Sequence, residues 1–191
     1  MRLVPIAIGI AWVTAAASVP AQRASRDTGQ RIAAHTLLGV RVPTGRERDV
    51  LGPAFLIGGQ VAVRMGRYAA AMMSVSAAQG DDRTHVGDNA LTVVQYDVGV
   101  ERYGCPFCSG VPAVRPFAGA GVGGRTYRHD RGSRPATTSA TVYVAAGAEL
   151  RKGRAGFRAE LRDYLVGVQR DGRRSVSNEF DLLAGLAYHF F

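Results

Sequence analysis

The feature that most limits what this chain can fold into is a series of eight runs in which side-chain character alternates with a period of two. That period marks strands with two unlike faces. In "HTLLGVRV", Thr36, Leu38, Val40 and Val42 share one face, and His35, Leu37, Gly39 and Arg41 share the other. "AFLIGGQVAVRM" sets Phe55, Ile57, Val61, Val63 and Met65 against Gln60 and Arg64, and "RYAAAMMSVSAAQ" is a third run of weaker contrast. In "TVVQYDVGVERY", Val94, Tyr96, Val98 and Val100 oppose Gln95, Asp97, Gly99 and Glu101. The fifth run sets Val114, Pro116, Ala118, Ala120 and Val122 against Arg115, Phe117, Gly119, Gly121, Gly123 and Arg125. "TVYVAAGAELR" sets Val142, Val144, Ala146, Ala148 and Leu150 against Tyr143, Gly147, Glu149 and Arg151. "GFRAELRDYLV" sets Phe157, Ala159 and Leu161 against Arg158, Glu160 and Arg162. In "NEFDLLAGLAYHFF", Phe180, Leu182, Ala184, Leu186, Tyr188 and Phe190 oppose Glu179, Asp181, Gly185 and His189.

Most runs span about 10 to 14 residues, against about 5 to 6 for an ordinary globular strand. That length suits a tilted strand crossing a bilayer, which needs about 9 to 11 residues. Polar connections "PTGRERDVLG", "GDDRTHVGDN", "RHDRGSRPATT" and "QRDGRRS" follow runs one, three, five and seven. Tight turns around Gly66 and Lys152–Gly153 follow runs two and six, and only "GCPFCSGVP" breaks the alternation. Long loops on one side and short turns on the other describe an outer-membrane barrel. A soluble sandwich has the same periodicity; strand length, even count and the chain end favour lipid. The reading is all-β: an eight-stranded antiparallel up-and-down transmembrane barrel.

"GAGVGG" at 119–124 matches the dinucleotide fingerprint G-x-G-x-x-G letter for letter. The fingerprint works only between a buried parallel strand and a helix whose N-terminus takes the pyrophosphate. "RTYRHDRGSRPATTS" follows instead, with Gly132, Pro135 and no helical period. Glycines on an inward face fit better, since an eight-stranded barrel barely holds side chains. They are expected to make room for long neighbours such as arginines.

The start, "MRLVPIAIGIAWVTAAASVPAQ", has Arg2, an apolar run and small residues at Val19 and Ala21. That is a secretory signal pattern with cleavage after Ala21. The domain reading is a signal peptide over 1–21 and a barrel over 22–191. Arginine and lysine total 24 against 15 acidic residues, and Lys152 is the single lysine. In an exported protein this excess points to anionic lipid or lipopolysaccharide rather than nucleic acid. Cys105 and Cys108 are expected to form a disulfide in an oxidising compartment. A zinc site needs four ligands; no second Cys pair exists, and His35, His85 and His189 lie in separate segments. No metal or cofactor is expected.

The end "AGLAYHFF" resembles the C-terminal assembly signal of bacterial outer-membrane barrels. Gly185, Leu186, Tyr188 and Phe190 match it, and either Phe190 or Phe191 serves as the terminal aromatic. "RPFAGAGVGG" and "FRAELRDYL" are similar to strands of the small eight-stranded OmpA/OmpX/OmpW-like superfamily. The resemblance implies the outer membrane of a Gram-negative-type bacterium, contact with the barrel assembly machinery during biogenesis, and a monomer. Its members include structural proteins, adhesion or resistance factors, small-solute channels and a few lipid A enzymes.

Two groups of residues are candidates for function. The inward charges Asp97, Glu101, Arg115, Arg125, Glu149, Arg151, Arg158, Glu160, Arg162 and Asp181 are expected to form a lumen network. Glu149 with Arg158, and Arg162 with Asp181, are the expected cross-strand pairs, while Glu101 and Arg115 flank a turn. Such a network plugs the lumen or, alternatively, lines a narrow solute path. Arg128, Arg131, Arg134, Arg170, Arg173 and Arg174 form an arginine-rich surface group suited to phosphate, because guanidinium forks bind it bidentately. Catalysis is not expected: His129, Asp130 and Ser133 are the only grouping near a nucleophile–base pattern, and they do not match the deacylase motif.

Overall fold

The structure, a computed structural model, describes residues 32–44, 48, 52–66, 68–81, 90–104, 113–129, 136–170 and 173–190. The signal segment, Cys105, Cys108, Asp130, Arg131, Ser133, Arg134 and Phe191 lie outside the described residues.

Eight strands form one closed antiparallel barrel in sequence order. They are β1 (Ile32–Pro43), β2 (Ala54–Arg64), β3 (Ala69–Asp81), β4 (Ala90–Tyr103), β5 (Ala113–His129), β6 (Thr137–Lys152), β7 (Ala155–Arg170) and β8 (Arg173–His189). Each pairs with its neighbours in the chain, and β1 closes the ring against β8. The β6–β7 turn needs only Gly153 and Arg154, and Gly153 takes the left-handed φ of 62° that glycine adopts without strain.

Every alternating run has become a strand, and the two faces fall as the period requires. The apolar face points out: Phe55, Ile57, Met73, Val75, Val98 and Leu186 are all exposed. The polar face points in. Neighbours in β4 make the contrast plain, with Asp97 4% exposed and Val98 53% exposed. A water-soluble domain would reverse this order, since burying apolar area drives its folding. An apolar exterior around a polar interior is the arrangement of a barrel in lipid.

The connection after β7 departs from expectation. "QRDGRRS" reads as a polar loop, yet Gln169 pairs with Arg174 and Arg170 with Arg173. The hairpin outruns its neighbours: the β6–β7 ladder ends at Thr141–Val166 and the β1–β8 ladder at Pro43–Glu179. Polar composition suggested a loop, but hydrogen bonding between two adjacent antiparallel strands continues through polar residues as readily as apolar ones.

The glycines also differ from expectation in what they accommodate. Their occupants are rings more than guanidinium groups. Gly121 stands opposite Tyr143 in register, and a Cβ there would lie 2.5 Å from Tyr143 Cε1. Gly147 stands opposite Phe117, and its Cβ would lie 2.5 Å from Phe117 Cζ. The same pairing occurs outside the barrel, where Tyr96 covers Gly124. A ring laid over a cross-strand glycine restores the packing that glycine lacks.

Candidate functional site

The lumen holds one continuous polar spine. It starts at the end remote from Ile32 and Phe190, where Arg41 on β1 donates from Nε and Nη2 to the two oxygens of Asp181 on β8, at 2.9 and 2.8 Å. Arg41 also lies 3.6 Å from Glu179, which pairs with Arg125 of β5. Arg125 Nε donates to Gln95 Oε1 at 2.6 Å, and Gln95 in turn donates to Asp97 and to Thr141.

Asp97 is the middle of the spine. It accepts from Tyr164 at 2.9 Å and Ser74 at 3.3 Å, with Arg162 at 3.5 Å. Arg162 donates to Gln60, Ser74 and Glu160. Glu160 bridges to Arg158, whose guanidinium meets Glu101, and Tyr103 donates to Glu101 at 2.8 Å. Arg158 Cζ lies over the Phe117 ring, 3.6 Å from its centroid. Arg125 lies over Tyr164 and Arg162 over Tyr143 at 5.0 and 5.4 Å. These ring faces supply a cation–π attraction on the sides of the guanidinium where no donor hydrogen points.

Isolated buried charges are prohibitive, and paired ones are tolerated only when hydrogen-bonded as well. That condition governs this lumen. Arg125, Arg158 and Arg162 are each at most 2% exposed, and each is shared between a carboxylate, another acceptor and an aromatic face. Apolar clusters fill the remaining space, including Leu56, Leu91, Val93 and Leu183 toward the loop end. Small cavities of about 20 and 10 Å³ lie near the two ends, lined by Arg41, Tyr127 and Glu179 and by Tyr103, Glu149 and His189. Each has room for about one water.

The expected lumen residues are therefore brought together, but not in the expected pairs. Glu149 and Arg158 are opposite in register, as are Arg162 and Asp181. Glu149 nevertheless meets His35 and His189, while Arg158 meets Glu101 and Glu160. Asp181 meets Arg41, its register partner on the other flank, and Arg162 meets Glu160 and Asp97. Long side chains in a narrow tube reach across it, so backbone register does not dictate the ion pair. Glu101 and Arg115 do not flank a shared contact by register, since Glu101 stands opposite Gly119 and Arg115 opposite Glu149. Arg115 is half-buried and has a contact of its own.

Several members were missed as parts of the network: Arg41, Glu179, Gln60, Gln95, His35 and His189. Their inward phase was visible in the alternation, but their partners lie on remote strands. His35 and His189, far apart in sequence, come within 6.4 Å between ring centroids because β1 and β8 are neighbours in the ring. Among the described residues, no group of three or more His, Cys, Asp or Glu is arranged to hold a metal ion.

The arginine group divides. Arg128 is exposed near the end of β5, and Arg170, Arg173 and Arg174 belong to the projecting β7–β8 hairpin. His129 ends β5, and its proposed companions lie outside the described residues. In the C-terminal motif, Leu186, Tyr188 and Phe190 face outward, and the Tyr188 and Phe190 rings pack edge to face at 4.9 Å.

A closed eight-strand ring, an apolar exterior and a charged interior decide the architecture. The fold is that of a small outer-membrane β-barrel. Among solved structures, the chain is similar to the crystal structure of Neisserial surface protein A, with a TM-score of 0.59 and 14% identity over 85% of this chain and 98% of that one. It is similar also to outer membrane protein OprG from Pseudomonas aeruginosa, with a TM-score of 0.55, 13% identity and coverage of 85% and 98%. The N-terminal β-barrel domain of Pseudomonas aeruginosa OprF gives a TM-score of 0.53 and 17% identity, covering 85% of this chain and all of that domain. No family model and no curated protein matches the sequence. At these identities the likeness is one of small outer-membrane barrel architecture.

Proposed function

We propose that the protein is a closed outer-membrane barrel with a structural or surface-binding role, in which the lumen stabilises the wall and the loop end makes the contacts. The observation that carries this reading is the polar spine from Arg41 to Glu101, in which consecutive buried charges bridge the lumen from strand to strand. A conducting path would require these pairs to part, and breaking a buried pair costs about 3 to 5 kcal/mol. The loop end supports the contact half of the reading. The sequence there carries Arg128, Arg131, Arg134, Arg170, Arg173 and Arg174, and planar guanidinium forks suit the phosphate groups of lipopolysaccharide. The site residues suggest no reaction, and the reading is non-catalytic. It places the barrel in the outer membrane of a Gram-negative-type bacterium as a monomer, delivered through a signal peptide and the barrel assembly machinery.

Planar-bilayer recording of the refolded barrel, run beside a lipid A modification assay and a vesicle-binding assay, tests the proposal. The expected result is no resolved conductance steps and no altered lipid A. Affinity for lipopolysaccharide vesicles should fall when Arg170, Arg173 and Arg174 are replaced by glutamine. Steady conductance would make it a narrow channel for small solutes, and lipid A turnover would make it an enzyme. The first outcome overturns the closed-lumen reading and the second the non-catalytic one.

A further inference from the structure

Among the described residues the fully buried charges do not balance: six carboxylates, Asp97, Glu101, Glu149, Glu160, Glu179 and Asp181, stand with four guanidinium groups, Arg41, Arg125, Arg158 and Arg162. The barrel also buries two imidazoles, His35 and His189, and both meet the same carboxylate. His189 Nε2 lies 2.9 Å from Glu149 Oε1, and His35 Nε2 lies 3.7 Å from Glu149 Oε2. Neither ring nitrogen of His35 has a hydrogen-bond partner, nor has Glu149 Oε2, although all three atoms are buried. Two protons on these rings would neutralise the buried set, and each would add a charge-assisted contact to Glu149.

The trio sits beside a gap in the ladder that closes the wall, with a further hydrogen bond from Phe190 N–H to Ile32 O at 2.8 Å toward the strand ends. His35 is on β1 and His189 on β8, the first and last strands, whose pairing closes the barrel. That ladder is interrupted. Its pairs run Ala33–His189, Ala34–Tyr188 and His35–Ala187, then resume only at Leu38–Ala184. In the gap, Leu186 N–H donates to the Thr36 hydroxyl at 3.0 Å. A segment of three ladder pairs is thus set apart at this end of the seam. Glu149, across the lumen on β6, ties both of its strands together.

We propose that His35, Glu149 and His189 form a proton-operated clasp. Charged imidazoles fasten this end of the β1–β8 seam to β6; neutral imidazoles let it loosen. From β2, Gln60 stands opposite His35, and Arg64 borders the adjoining cavity. From β4 come Tyr103 and Glu101, which are bonded to one another. Arg115 on β5 and Arg158 on β7 flank Glu149 in register, and Arg158 is held by Glu101 and Glu160. Arg151 on β6 donates to Gly153 O at 2.9 Å. Arginines stay charged at all working pH values, and imidazole is the side chain that changes charge between about pH 5 and 8.

The test uses the full chain folded in lipid vesicles at about pH 5 and about pH 8, the span over which imidazole side chains change charge. Imidazole carbon and nitrogen shifts report the charge of both rings, and the clasp requires them charged at the lower pH and neutral at the higher. Amide exchange at 33–35 and 187–189, corrected for intrinsic rates, should be about fivefold slower in the acid sample, a local opening effect. In Glu149→Gln that difference should vanish, while exchange in the β4–β5 ladder stays as in the parent. If Glu149→Gln does not fold, the His35→Gln/His189→Gln pair, which cannot take a proton, should give the same flat profile. Seam protection that is equal at the two pH values in the parent overturns the clasp. So does a pH effect that survives in either variant, or rings that remain neutral at the lower pH.

Discussion

Arg162 Nε donates to Glu160 Oε1 at 2.6 Å, two residues away on the same face of β7. The other oxygen of Glu160 takes Nε of Arg158 at 2.9 Å. One carboxylate therefore holds apart two guanidinium groups that would otherwise repel in a dry tube. Glu160→Gln should destabilise the barrel by about 1 to 3 kcal/mol: Arg158 keeps Glu101 and Arg162 keeps Asp97, but an amide –NH₂ would face guanidinium donors and leave buried groups unsatisfied. Urea unfolding in lipid vesicles measures it.

Adjacent positions in β4 separate the lipid and lumen faces. Val98→Arg sets a charge in the apolar exterior and should cost about 2 to 4 kcal/mol near the bilayer midplane. A spin label at 98 should be reached by lipid-soluble quenchers, and one at 97 should not. Water exposure at both sites would exclude a membrane barrel.

Asp97→Asn is conservative in shape but not in bonding. Tyr164, Gln95, Ser74 and Arg162 all donate to this carboxylate. An amide –NH₂ must face at least one of those donors, leaving a buried group unsatisfied at a cost of about 1 to 3 kcal/mol. The loss of near-native stability in this variant, read by the same urea titration, would therefore accompany only a small change in bulk.

Gly121→Leu should be worse than its distance from any charge suggests. The ring of Tyr143 already occupies the place of a side chain there, and Val98 O closes the other side. Overfilling a packed interior costs about 1 to 3 kcal/mol. Thermal loss of heat-modifiable gel mobility should come at a lower temperature than in the parent.

Cys105 and Cys108 are expected to be oxidised in the exported protein. Replacing both by serine should shift stability little, because the closed loop is very short and the entropic gain grows with loop length. Thiol titration under denaturing, non-reducing conditions decides the first point: free thiols would refute the disulfide.

Strand count, strand order and the facing of every run but the third, whose contrast is weak, were legible in the sequence. They follow from a period of two, which is local: each residue's face is set by its immediate neighbours along the strand. Asp97 inward and Val98 outward needed no knowledge of the other strands. The partner of each charge could not be read the same way. Glu149 stands beside Arg158 in register but turns to His35 and His189, strands β1 and β8 that the chain reaches 114 residues earlier and 40 later in the numbering. Which groups meet across the lumen depends on the stagger of all eight strands, the reach of each side chain and the space left by rings over glycines. Those quantities exist only once the sheet has closed, so the sequence by itself determined the wall, and the tertiary structure alone decided the wiring inside it.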